Sequence, residues 1–110
     1  MNSHVSDDDV RELAATAKPY SLAVLRWENK GHSEEVEIGA AHQRRMVELR
    51  RDGIIAILCP VVSDVICGVA VLTVPTDEAA RIMNGDPCVQ SGIMTCEVVP
   101  CHSFAGDALP

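Results

Sequence analysis

Two apolar runs in the middle of the chain constrain its fold more than any other feature. Ile54 to Cys59 is continuous aliphatic sequence, too short for a helix and the right length for a strand. Val65 to Val74 is a longer β-branched run. Pro60 closes the first, and Ser63-Asp64 marks a turn before the second, so the two are expected to pair as a hairpin. A strand with one face in water should alternate apolar and polar residues. These two do not, which predicts that both of their faces are removed from solvent.

The flanking sequence places two helices and two more strands around this pair. Tyr20 to Trp27 reads as the first strand, and the polar stretch Glu28 to Glu37, with Gly31, as a loop. The next segment, Ile38 to Arg51, is the clearest helix, with Ile38, His42, Met46 and Leu49 on one stripe and Asp52-Gly53 as its stop. Arg44, Arg45, Glu48 and Arg51 fall largely away from that stripe and read as a solvated face. After the hairpin, Thr76 caps a helix with Asp77 and Glu78 in its first turn, buries Ala79, Ile82 and Met83, and ends at Gly85. Asp86-Pro87 opens a further turn of helix, and Ile93 to Val99 is the last strand.

The order is βαββαβ, an α+β domain. Ahead of it, Ser6 can cap a short helix with Asp7, Asp8 and Asp9 in its first turn. Val10, Leu13, Ala14 and Ala17 give that helix one weakly apolar face, and it reads as an addition outside the main fold. The chain thus divides into an N-terminal extension (1–19), one domain (20–104) and a C-terminal tail (105–110). Two helices cover one face of a four-stranded sheet. The other face would be bare and aliphatic, and a second copy of the chain is its most economical cover. A homodimer, or a higher homo-oligomer built on it, is expected.

Composition narrows the function. Of 110 residues 47% are hydrophobic but three are aromatic, Tyr20, Trp27 and Phe104, so the core is aliphatic. The net charge of −7 and the single basic cluster at Arg44, Arg45, Arg50 and Arg51 argue against a nucleic-acid partner. No apolar stretch reaches the ~18 residues of a membrane span, and the polar, acidic start lacks the order of a signal peptide. The five cysteines, Cys59, Cys67, Cys88, Cys96 and Cys101, are odd in number and show no CxxC spacing. Reduced thiols, no metal site and a cytoplasmic location are the expectation.

Several short stretches, taken in order, resemble the YciI-like (YCII-related) family. They are Ala41-His42, Asp52-Gly53-Ile54-Ile55, Cys59-Pro60, Glu78-Ala79-Ala80, Asp86-Pro87-Cys88-Val89 and Ser91-Gly92-Ile93. The likeness runs from about Tyr20 to Phe104. It implies a ferredoxin-like domain whose sheets pack in pairs as a dimeric α/β barrel. It also implies an active-site pair, a helix histidine and the Asp-Pro aspartate, which fall on His42 and Asp86. The chain departs from the family's pattern at Gly39 and Ala40, where an arginine and a proline are common, at Cys59, where a glycine is usual, and at Cys88, where an aromatic residue is usual. Distant relatives of this barrel type isomerise lactones, and one YciI-like relative removes chloride from a chlorinated hydroxyquinone.

Each candidate has a plainer alternative. His42 shares a stripe with Met46 and Leu49 and so points at the sheet, where a histidine can simply be a satisfied core residue. Near a helix N-terminus and partly buried, it would stay neutral and basic. Asp86 before a proline is a good N-cap, and a capping carboxylate can also orient an imidazole. Cys88, in the first turn after Asp86, is either an activated thiolate or a small hydrophobe. With Cys59 it is a candidate pocket wall. His102 and Cys101 read as exposed tail residues or a third contribution to the site. The leading expectation is a lyase or isomerase that moves protons without metal or cofactor on a carbonyl or phenolic small molecule. The alternative is a domain of the same shape that binds a small ligand or a partner without chemistry.

Overall fold

A computed structural model describes residues 4–107. The elements run α1 (Asp7–Ala14), β1 (Lys18–Trp27), α2 (Glu35–Arg51), β2 (Ile55–Pro60), β3 (Ile66–Leu72), α3 (Thr76–Asn84), α4 (Pro87–Gln90) and β4 (Met94–Ser103). Residues 1–3 of the extension and 108–110 of the tail lie outside the described residues. The four strands form one antiparallel sheet in the order β2-β3-β1-β4. With the βαββαβ succession this is compatible with a ferredoxin-like α+β fold. The expected hairpin of the two central runs is the β2–β3 pair, with Leu58 opposite Ala70 and Cys59 opposite Val69.

Alternation separates the two faces of the sheet. Ser21, Ala23 and Leu25 of β1 are buried, and so are their partners on β3, Leu72, Ala70 and Gly68. This is the face that α2, α3 and α4 cover. Its core joins Ala23, Leu25, Ala70 and Leu72 to Met46, Ile55, Ala79, Met83, Cys88, Ile93 and Met94. Burying a side chain such as Ile55 or Leu72 contributes ~1.5–3 kcal/mol. The opposite face carries Leu22 and Val24, which lie beside Val71 and Val69 on β3 and beside Val99 and Glu97 on β4. Its aliphatic side chains are half-buried, and Val99 is exposed. The expectation that Ile54 to Cys59 is buried on both faces is therefore not met within one chain. The strand is a sheet edge, and Ile55 is its one buried residue.

Several boundaries move. Helix α2 begins at Glu35, inside the stretch read as a loop, because Glu34 and Glu35 bond back to His32 and Ile38 N–H bonds Glu34 O. Glu35 and Glu37 suit the dipole of a first turn, but without apolar residues facing the core that turn carries no periodic signal. Strand β4 runs on past Val99 to Ser103, because β1 starts at Lys18 and supplies it a partner to its end. Pro100 is tolerated there because β4 is an edge. Helix α1 closes a capping box, Ser6 Oγ accepting from Asp9 N–H and Asp9 Oδ2 from Ser6 N–H. None of its residues is buried, and Val10 and Leu13 are exposed, so α1 does not cover the bare sheet face. No helix is long and apolar enough among the described residues to cross a membrane.

Candidate functional site

His42 lies in the third turn of α2, with its ring on the stripe that faces the sheet; its side chain is 11% exposed. Its Nδ1 is 2.7 Å from Asp86 Oδ2, so the two residues paired by motif are hydrogen-bonded across 44 positions of sequence. Because α2 starts at Glu35, His42 is the eighth residue of the helix and not in its first turn, so the imidazole lies beyond the main reach of the helix dipole.

Asp86 has no solvent exposure and makes two contacts through one oxygen. As N-cap of α4 its Oδ2 accepts from Cys88 N–H at 3.0 Å, and the same oxygen meets His42. Its other oxygen, Oδ1, has no hydrogen-bond partner and lies 3.7 Å from the guanidinium of Arg45. A carboxylate oxygen is an acceptor, and against it the imidazole nitrogen is the donor of the short contact. The other ring nitrogen, Nε2, is left to meet a ligand.

Arg45 is the residue that sequence reasoning missed. It was placed on a solvated face, but it reaches across to the end of α3 and donates to Ile82 O at 2.5 Å. Its NH1 is buried against Asp86. Gly85 makes room for it: a Cβ there would lie 3.3 Å from Arg45 NH2. The correction is physical, since a long arginine stem can leave a helix at its polar margin and still deliver its charge inward. The spacing was available as a signal, because His42 and Arg45 are three apart and share a helix side. The trio His42–Asp86–Arg45 thus holds a buried carboxylate between an arginine and an imidazole.

Above the trio opens a cleft of about 820 Å³ between α2 and the sheet. His42 and Cys88 line it, while Asp86 and Arg45 stand behind. The helix wall presents Gly39 and Ala40, and the sheet wall presents Gly68 and Ala70, so small residues on both sides leave the space open. Leu25, Trp27, Met46, Leu58 and Met94 make the remainder largely apolar. Cys59 also lines the cleft and is exposed. Both residues named as candidate walls therefore border it.

Cys88 is buried, which favours its reading as a small hydrophobe over a thiolate. Burial first, then the negative charge of Asp86, pushes its thiol up to about 11. Cys96 is raised to about 11 by the same two causes, and Cys67, a further wall residue, is raised by them as well. Cys88 acts as a small hydrophobe. His102 and Cys101 are also set aside, because they pair with Pro19 and Tyr20 at the far end of β1 from Leu25 and Trp27. Seven steps along the strand, roughly 23 Å, separate Tyr20 from Trp27.

Folding does bring together a set that spacing could not reveal: the ligating atoms of His42, Asp86 and Cys88 lie within 4.8 Å of one another. The arrangement suits a proton better than a metal ion. Two ligands on a tetrahedral zinc sit roughly 3.3 Å apart, wider than the 2.7 Å between His42 and Asp86. The Arg45 guanidinium, 3.7 Å from Asp86 Oδ1, already places a positive charge beside the carboxylate. No family model matches this chain, and no curated protein matches it either.

Proposed function

We propose that the chain is a YciI-like lyase or isomerase in which His42 moves protons on a carbonyl or phenolic small molecule without metal or cofactor. One observation carries this reading: His42 is bonded to Asp86 at 2.7 Å and at the same time lines an apolar cleft large enough for a metabolite. A core histidine with a merely structural role needs no cavity beside it.

In this scheme His42 Nε2 takes a proton from a carbon next to the carbonyl, or from a phenolic oxygen. The imidazolium that forms is stabilised by Asp86, whose position is held by Cys88 N–H and whose charge lies 3.7 Å from the Arg45 guanidinium. Return of the proton to another carbon completes an isomerisation, and loss of a leaving group beside the carbanion completes an elimination. General acid–base catalysis of this kind supplies ~10²–10⁴-fold.

The experiment is proton exchange in D₂O, followed by NMR on lactones and phenolic ketones. Wild-type protein is expected to exchange the acidic C–H, and His42→Ala to lose ~10²-fold or more of that rate. Equal exchange by the variant overturns the assignment. Ligand binding by wild type with no exchange instead identifies the non-catalytic binding domain.

The partner reading is a homodimer. We propose that the aliphatic face bearing Leu22, Val24, Val69 and Val71 packs against its copy, sheet to sheet, as in a dimeric α/β barrel. Its support is chemical: apolar surface of this kind is seldom left in water.

A further inference from the structure

We infer that the cleft admits uncharged, predominantly apolar ligands and turns away carboxylates and phosphates, with Glu35 as the residue that sets this preference. The inference rests on the cleft being the ligand site proposed above and adds the charge class of the ligand.

Among the described residues that line the cleft, the ionisable groups other than thiols are His42 and Glu35. No lysine or arginine is among them. Three groups near the cleft could meet an anion, and each already faces a carboxylate. Arg45 does not line the cleft; it donates to Ile82 O and holds its NH1 3.7 Å from Asp86 Oδ1. Lys30 lies over the ring of Trp27, 5.2 Å from its centroid, but pairs with Asp64 at 3.1 Å. His42 bonds Asp86 through Nδ1, so the imidazole that lines the cleft sits beside a carboxylate whose negative charge opposes a second anion. A carboxylate entering this space would leave water for apolar walls without a cation to meet it, and an unpaired buried charge is strongly disfavoured.

Glu35 adds repulsion to that cost. It is the first residue of α2, half-buried at the mouth of the cleft, and its charge is felt as far in as Cys88, whose thiol it helps to raise. The net charge of −7 acts in the same direction on the approach of any anion. The facing small residues then decide what does fit. A Cβ built on Gly39 meets nothing within 4 Å, so that point of the helix wall is open space.

The test uses a matched pair, methyl naphthoate and naphthoate, which share a ring system and differ in charge. Binding to the full chain is read by ligand-observed NMR titration and by thermal shift. The ester is expected to bind at least about ten-fold more tightly than the acid. Glu35→Gln should narrow that ratio, and Glu35→Arg should reverse it. Gly39→Leu should abolish binding of both by filling the slot, while the melting temperature is kept. His42→Ala should keep the ester preference even where it abolishes proton exchange, so the two readings fail separately. Naphthoate binding as well as the ester, a ratio indifferent to Glu35→Gln, or no binding of the ester at millimolar concentration would each overturn the inference.

Discussion

The two faces of the sheet are built from the same strands and differ in almost everything else. One face, under α2, α3 and α4, holds a buried carboxylate, an arginine, an imidazole and an open cleft. The other is aliphatic, with one ion pair, Arg26–Glu97 at 3.2 Å, on its surface. The strands give each face a similar apolar floor, since alternate residues point to opposite sides. The chemistry comes from elsewhere: His42 and Arg45 from α2, and Asp86 from the turn between α3 and α4. A sheet of this kind is a platform, and the segments laid on it decide what it does.

The sharpest way to break the contrast is to remove a member of the charged trio. Asp86→Ala leaves Arg45 and His42 without their shared partner and is expected to cost about 3–5 kcal/mol in urea unfolding. Arg45→Met should be damaging as well, because it strands the Asp86 carboxylate. The double variant Asp86→Ala with Arg45→Met should recover part of the loss, and strict additivity of the two would show that they do not interact.

The opposite face is expected to answer in mass rather than in stability. Val71→Lys places a charge between Leu22 and Ile57, its neighbours on β1 and β2. Wild type should sediment at twice the single-chain mass and the variant as a folded monomer. A wild-type monomer would remove the dimer reading altogether.

Thiol chemistry distinguishes the cleft's mouth from its floor. With an alkylating agent near pH 8, exposed Cys59 should react roughly 100-fold faster than buried Cys88, whose thiolate is scarce with a pKa of about 11. Mass mapping of the modified peptides reads this directly. The same shift has a sign in stability. A thiol raised from 9.0 to about 11 favours the folded state fully below pH ~9, and that contribution is lost as the pH rises through about 11. The urea midpoint should therefore fall over this window, and less steeply in Cys88→Ala.

The smallest effect belongs to α1. Because none of its residues is buried, removing residues 1–14 should change the unfolding free energy by less than about 1 kcal/mol. A large loss would mean that α1 covers the aliphatic face after all.

What could be read from the chain by itself was whatever one segment decides alone. The order of elements, the Gly53 stop of α2 at φ +77 and the Asp86 cap of α4 are local, since each follows from a few neighbouring residues. The pairing of His42 with Asp86 was implied by the family resemblance alone, and the two side chains lie 2.7 Å apart. Periodicity tells which side of its own helix a residue occupies. It does not tell what lies across from that side. Arg45 was misplaced for this reason, and the start of α2 at Glu35 was missed because an exposed first turn has no apolar rhythm. The cleft is a tertiary object in the same sense. Gly39 and Ala40 on one element and Gly68 and Ala70 on another are unremarkable apart, and only their opposition across the core leaves space for a ligand.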